Sequence, residues 1–251
     1  MPQSTIQIFP LLGLPEVKPG DDLARLIVEA AAKNDLRVTE GDILVVAQKI
    51  VSKAEGRIVP LNSIAPSERA HAWAQAWSKD ARLVELVLRE SARIVRMEKG
   101  IIISETAHGF VCANAGVDVS NAPEECAILL PLDPDASARA LQSRLSEAFG
   151  VSIGVIVSDT FGRAWREGLV NVALGVAGLT PLLDYRGARD ANGKMLQATV
   201  IAVADEIAAA AELAMGKADR VPVVLVRGVA PKSRDGSGRD LIRPAERDLF
   251  R

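Results

Sequence analysis

The chain has 251 residues, 49% hydrophobic and 25% charged, with a formal net charge of −2. That balance fits a soluble globule of one large or two small domains, gives no bulk basic signal for nucleic acid, and leaves every apolar run far short of a membrane span. The opening MPQSTIQIFPLLG lacks a basic n-region, so no signal peptide is expected. Cys112 and Cys126 show no CxxC or Cys/His ligand spacing, so buried free thiols in a reducing cytoplasm are expected in place of a zinc site.

Residues 6–8 read as a short first strand, stopped by Phe9-Pro10, and Gly13-Leu14-Pro15 then turns the chain. Asp21-Asp22 offers an N-cap, followed at helical spacing by Leu23, Leu26, Ile27 and Ala30. The segment ILVVAQKIVSKAEGR begins as a buried strand over 43–46 and ends in charge and a glycine, the pattern of a solvated turn. Pro66-Ser67-Glu68 opens a helix with Trp73 and Trp77 on one face, and a break near Asp80 precedes a second helical stretch. Strands follow around the Lys99-Gly100 turn, over 110–113 and over 126–130. Pro134-Asp135 starts a helix that Gly150 ends. A strand over 151–157 leads straight to Asp159. Residues 170–179 are apolar, but Gly175 and Gly178 argue against a good helix. A strand over 199–203, an alanine-rich helix over 205–215 and a last buried strand over 221–226 complete the pattern. The tail from 230 to 251 reads as an exposed arm, with Leu249-Phe250 as its anchor. Several strands follow one another without helices. The fold class expected is therefore mixed α/β, in one domain with an alternative lobe boundary near 150, and not a regular doubly wound sheet.

Two polar stretches stand out at the ends of apolar runs. NAGVDVSN (114–121) carries Asp118 between two asparagines, and VSDTFGRAWREG (157–168) carries Asp159 and Thr160. Two carboxylates side by side repel unless a cation separates them, and oxygen ligands favour Mg²⁺ or Mn²⁺. The alternative for each loop alone is a turn whose acids cap their own backbone. Lys53 could neutralise a phosphate or simply be solvated. Gly216-Lys217 resembles the end of a P-loop, but Ala211 and Ala218 stand where the motif needs glycine and a hydroxyl. Neither GxGxxG after a strand nor GxSxG occurs. His71 and His108 read as structural or hydrogen-bonded residues and not as bases.

At these residues the chain resembles a known family. GLPEVKPGDDL, GDILVVAQKIVSKAEGR, HGFVCANAGVDVSN, LLPLDPD, GVIVSDTFGRAWREG and ADEIAAAAELAMGK occur in the order found in the coenzyme F420-0:L-glutamate ligases, the gamma-glutamyl ligases of F420 biosynthesis. The arm RDLIRPAERDLFR is similar to the bacterial branch, and the ligase part alone is expected here. The resemblance implies a ligase fold without a P-loop and a homodimer. It also implies GTP, L-glutamate and coenzyme F420-0 as substrates, Mg²⁺ or Mn²⁺ at two sites, and K⁺. GTP would phosphorylate the precursor's carboxylate to an acyl phosphate, which the amine of glutamate attacks. Residue by residue, the resemblance puts Leu14, Pro15, Glu16, Val17, Gln48, Lys53, Asn121, Met215, Gly216 and Lys217 on the nucleotide. It puts Asp118 and Asp159 on the first metal and Thr160 on the second, and counts Asp118, Asp159 and Lys53 as catalytic.

Two departures qualify it. Gln48 stands where a serine is common. Lys217 stands where some members have a metal-ligating glutamate, and an ammonium cannot ligate a cation. Either fewer protein groups hold the second metal here or the lysine replaces part of its charge, and the second is expected. Two other readings stay open: a related nucleotide-dependent ligase for another carboxylate, and an inactive nucleotide-binding partner. Arg163 and Arg166 are candidate carboxylate binders.

Overall fold

The computed structural model describes residues 5–229 and 236–249. Its centre is a five-stranded sheet in the order β1-β12-β2-β8-β9. These strands are β1 (Gln7–Pro10), β2 (Ile43–Ala47), β8 (Gly154–Arg163), β9 (Arg166–Ala177) and β12 (Val223–Arg227). β2 and β8 are parallel, with Ala47 opposite Ser158, and the other pairs are antiparallel. The unbroken Ile43–Val46 run is explained by burial on both faces. Leu44 and Val46 pack with Val155, Val157 and Leu225 beneath α1 (Leu23–Lys33), α2 (Gln48–Ala54) and α5 (Pro134–Phe149). Ile43 and Val45 pack with Ile156 and Val224 beneath α6 (Val203–Met215).

A second, smaller body lies between β2 and β8 in sequence. It holds β3 (Ile58–Pro60) paired with β7 (Cys126–Ile128), and the sheet of β4 (Ser91–Glu98), β5 (Ile101–Thr106) and β6 (Val111–Ala113). Against these pack α3 (Glu68–Trp77) and α4 (Ala81–Glu90), capped by the side chains of Ser67 and Asp80. A two-residue pair, β10 (Leu183–Asp184) with β11 (Val200–Ile201), lies before α6. The architecture is mixed α/β, as expected. The central sheet uses strands from both sides of Gly150, the left-handed cap of α5 (φ 68°).

Several expectations need correction. Phe9 and Pro10 do not stop β1 but belong to it, because β1 is an edge strand and Pro10 need not donate there. SKAEGR is not a solvated turn: its first half ends α2, and Lys53 is 5% exposed. β8 does not end at Asp159. It continues to Arg163 as a hairpin with β9, which makes 170–177 strand, while Gly178 and Leu179 lie beyond it. Cys112 is buried, whereas Cys126 is only half-buried; both are free.

The arm is anchored elsewhere than expected. Asp135 accepts from the backbone N–H of Gly238 (2.7 Å) and of Val176 (2.9 Å), and from the Ser237 hydroxyl. At Gly238 a Cβ would lie 2.1 Å from the Leu174 carbonyl oxygen, so the contact requires glycine. Ile242 then packs beside Phe110, Leu130 and Leu174. Leu249 is 86% exposed, and Phe250 and 230–235 lie outside the described residues.

Candidate functional site

The site lies at the carboxyl end of β2, where the parallel strand β8 runs past it beyond the Ala47–Ser158 pair and opens a crevice. α2 starts directly after β2. Its Gln48 is 1% exposed and accepts from the Ser52 hydroxyl at 2.9 Å, while its Nε2 has no hydrogen-bond partner. A turn later, the Lys53 ammonium bonds the Glu16 carboxylate, tying the 14–17 segment to the helix. Val17 is buried in the core there, whereas Pro15 and Glu16 are exposed.

The loop 114–121 hangs from the end of β6. Asn114, Ala115 and Gly116 all adopt left-handed backbone (φ 53°, 50° and 72°), and Asn121 does too (φ 58°). Non-glycine residues hold this conformation at a cost, so the loop is over-determined by its surroundings. Ala115 is buried among Val84, Val87 and Ile102, and a Cβ on Gly116 would lie 2.6 Å from Leu130 Cγ. At the far side, Asp118 and Ile128 exchange backbone hydrogen bonds of 3.0 and 2.8 Å. The Asp118 side chain is thereby fixed. Its carboxylate accepts from the Ser120 N–H (2.7 Å) and hydroxyl (3.0 Å) and pairs with Lys49 at 2.7 Å.

Asp159 rises from β8 to meet this cluster. Burial pushes its carboxyl up to about 6. The Asp118 charge pushes in the same direction, against the Thr160 N–H and the charges of Lys49 and Lys217. Burial also works to raise Asp118, but hydrogen bonds from Lys49 and Ser120 outweigh it and hold that carboxyl below its ordinary value. Cys112 is pushed up to about 12 by burial and by the charge of Asp159, so it is an inert thiol beside the acids.

The next residue on β8 serves a separate cluster. Thr160 pairs with Asn171 across the hairpin and donates its hydroxyl to Asn171 Oδ1 at 2.6 Å. Asn171 Nδ2 donates to Glu212 at 2.8 Å. Lys217, just past the Gly216 cap of α6, donates to the Thr160 hydroxyl and lies 3.5 Å from Glu212. Met215 is buried against Asn171, sulfur to amide 3.8 Å.

A family profile described as F420-0:Gamma-glutamyl ligase matches residues 12–228. The chain belongs to this family. It is 49% identical over 249 residues to the coenzyme F420:L-glutamate ligase of Methanothermobacter thermautotrophicus, covering 98% of this chain and 99% of that one. It is 48% identical to the enzyme of that name from Methanopyrus kandleri, covering 98% of both chains. Identity to the one from Methanocaldococcus jannaschii is 42%, over 96% of this chain and 95% of that one.

For an F420 gamma-glutamyl ligase, the residues marked out by sequence fall into three groups. Asp118 and Asp159 lie close enough for the charge of one to act on the other, Glu16 and Lys53 pair with each other, and Thr160 and Lys217 bond one another. Asn121 stands at the exposed end of the Asp118 loop. Arg163 is not turned toward the acids, since its guanidinium bonds the carbonyls of Glu167 and Gly168 in its own hairpin. His108 bonds the carbonyls of Pro131 and Leu132, as a structural histidine would. Lys49, Asn171 and Glu212 were not singled out from sequence. Only Lys49 carried a signal, as the first cation after a buried strand.

No group of three or more His, Cys, Asp or Glu side chains that could hold a metal ion occurs among the described residues. The Asp118–Asp159 pair does fit Mg²⁺ or Mn²⁺, which take one or two carboxylates and complete their shell with substrate phosphates and water. Thr160 does not fit as a metal ligand in the same way, because its hydroxyl already faces an ammonium. No helix among the described residues is long and apolar enough to cross a membrane.

Proposed function

We propose that this chain is a GTP-dependent amide ligase that joins L-glutamate to the deazaflavin precursor coenzyme F420-0 and extends a γ-linked tail. The observation that carries the reading is the approach of Asp118, in the loop after β6, to Asp159, on β8 just past the end of β2, with Lys49 and Lys53 on the helix that follows β2. Family membership and near-complete coverage of the relatives support the substrate class.

The precursor's carboxylate oxygen takes the γ-phosphoryl group of GTP, and GDP leaves. The glutamate amine then attacks the acyl carbon, the C–O bond to phosphate breaks, phosphate departs and the nitrogen loses a proton. Little covalent work falls to the protein in such a transfer, so its task is positioning and charge. Lys53, nearly buried, would exchange Glu16 for a phosphate oxygen. Gln48 has a free amide donor ready for the nucleotide. Leu14, Pro15, Glu16 and Val17 on one side, and Asn121, Met215, Gly216 and Lys217 on the other, would frame it. Asp118 and Asp159 would hold Mg²⁺ or Mn²⁺, which when bound offsets charge on the phosphate oxygens.

The same reading includes K⁺ as an auxiliary cation, a cytoplasmic location consistent with the free thiols, and a homodimer. For the dimer, the supporting feature is the far end of the β8–β9 hairpin, where Trp165 is 81% and Leu169 67% exposed.

The test combines protein, Mn²⁺, GTP, L-glutamate and the precursor, and follows GDP and product mass. GDP formed only with all components, together with a mass gain of one glutamyl residue, is the expected result. GDP without that gain removes the glutamate assignment. A gain with another amino acid in its place points to the related-ligase reading, and silence in every combination to the inactive partner.

A further inference from the structure

Asp159 and Thr160 point into two clusters that treat charge differently. The Thr160 cluster is a closed ring of four side chains. The hydroxyl donates to Asn171 Oδ1 (2.6 Å), the amide donates to Glu212 Oε2 (2.8 Å), Glu212 Oε1 faces Lys217 (3.5 Å), and Lys217 donates to the hydroxyl. Every polarity in the ring is satisfied. Asn171 is 4% exposed, and its amide orientation follows from its two neighbours. A carboxylate oxygen and a hydroxyl oxygen converging on one point form a hard-cation donor pair. Here that point holds an ammonium carried by the chain itself.

We infer that Lys217 is a built-in cation: it fills the position beside Thr160 and Glu212 that a second divalent ion would otherwise take, so this ligase binds one divalent ion per chain. The exclusion of a second ion rests on the ligase reading above for the nucleotide but not on the assignment of Asp118 and Asp159; the one ion that remains does rest on that assignment. The mechanism is exclusion by charge. An ammonium at hydrogen-bond distance from the hydroxyl must be moved, and Glu212 left to the ion alone, before a divalent ion can enter. The lysine's charge also reaches Asp159, so it contributes to the nucleotide end of the crevice without a metal there.

The experiment counts protein-bound Mn²⁺ by equilibrium dialysis with electron paramagnetic resonance, at saturating GDP. It compares the wild-type chain with Lys217→Glu, and with Lys217→Gln in case the acidic variant folds poorly. The expected result is one Mn²⁺ per chain in the wild type and one more in Lys217→Glu, with Lys217→Gln gaining at least a weak second site through the freed Glu212. Two ions in the wild type overturn the inference, as does an unchanged count in both variants. No ion in the wild type but one in Lys217→Glu supports the lysine's role while removing Asp118 and Asp159 as a metal site, so the two readings fail separately.

Discussion

Asp159 and Thr160 are neighbours on β8, yet their side chains enter opposite kinds of surroundings. On the Asp159 side two carboxylates share Lys49, and burial leaves one of them with its carboxyl raised to about 6. On the Thr160 side one carboxylate has one ammonium, and a hydroxyl and an amide complete the ring. Alternation along a strand is enough to produce this difference, because successive side chains face opposite sides of the sheet. The first cluster is short of positive charge and fit to receive it from a ligand. The second is already balanced. A pair of adjacent polar residues therefore need not share a ligand.

The sharpest way to break the comparison is to remove the acid. Asp159→Ala is expected to lower turnover by at least ~10³-fold, about 4 kcal/mol of barrier, with the fold retained by circular dichroism. Near wild-type turnover in that variant would end the metal assignment. Next in size is Lys53→Met, which removes a nearly buried cation and leaves Glu16 exposed to water. It should weaken GTP binding and turnover together by roughly 10²-fold. A loss confined to stability would make Lys53 a structural ion-pair partner only.

The charge imbalance also predicts a pH dependence. The folded Asp159 carboxyl keeps its proton up to about 6, against an ordinary value of 3.8. Between those values the folded state binds more protons than the unfolded one, so this residue makes stability fall as pH rises from about 4 to about 6. Its share, read as the difference between wild type and Asp159→Asn in denaturant titrations of metal-free protein, is on the order of 3 kcal/mol. A difference that does not change with pH would mean that the carboxyl is not burdened by burial. Saturating Mn²⁺ should remove the pH dependence if the ion sits there, since it favours the ionised form.

The two clusters were unequally legible in the sequence. Asp118 and Asp159 were visible because each lies just beyond an apolar run that reads as buried strand, and polar residues there invite a ligand; Lys53 was visible only as a cation in a charged stretch, and its burial within α2 was not. Asn171 and Glu212 were not, because their places follow from pairing. Asn171 lies inside a run whose glycines left helix and strand undecided, and it meets Thr160 only through the β8–β9 register, which shifts at two irregularities. Glu212 lies in an alanine-rich helix whose sequence does not show which strand residue it meets. The same limit explains the misplaced strand end at Asp159: hydrophobicity drops there because the hairpin leaves the core, not because pairing stops. The arm's anchor was hidden for another reason. Asp135 was read as part of a helix start, and only the packed structure shows that its carboxylate holds Gly238 and Val176.

The smallest effect is the most discriminating between the two sides of β8. If the Thr160 cluster is balanced by Lys217, the hydroxyl is a linker between Asn171 and the ammonium and has no metal to hold. Thr160→Ser keeps the donor and acceptor and should leave turnover and Mn²⁺ dependence within about twofold. Thr160→Val removes both bonds at nearly equal volume, leaving Asn171 Oδ1 without its donor, and should cost about 1–2 kcal/mol of stability and no more than ~10-fold in turnover. Its half-saturating Mn²⁺ concentration should not move. A Thr160→Val enzyme whose Mn²⁺ requirement rises steeply while its stability holds would put the hydroxyl on a metal, and the two sides of the strand would then be alike after all.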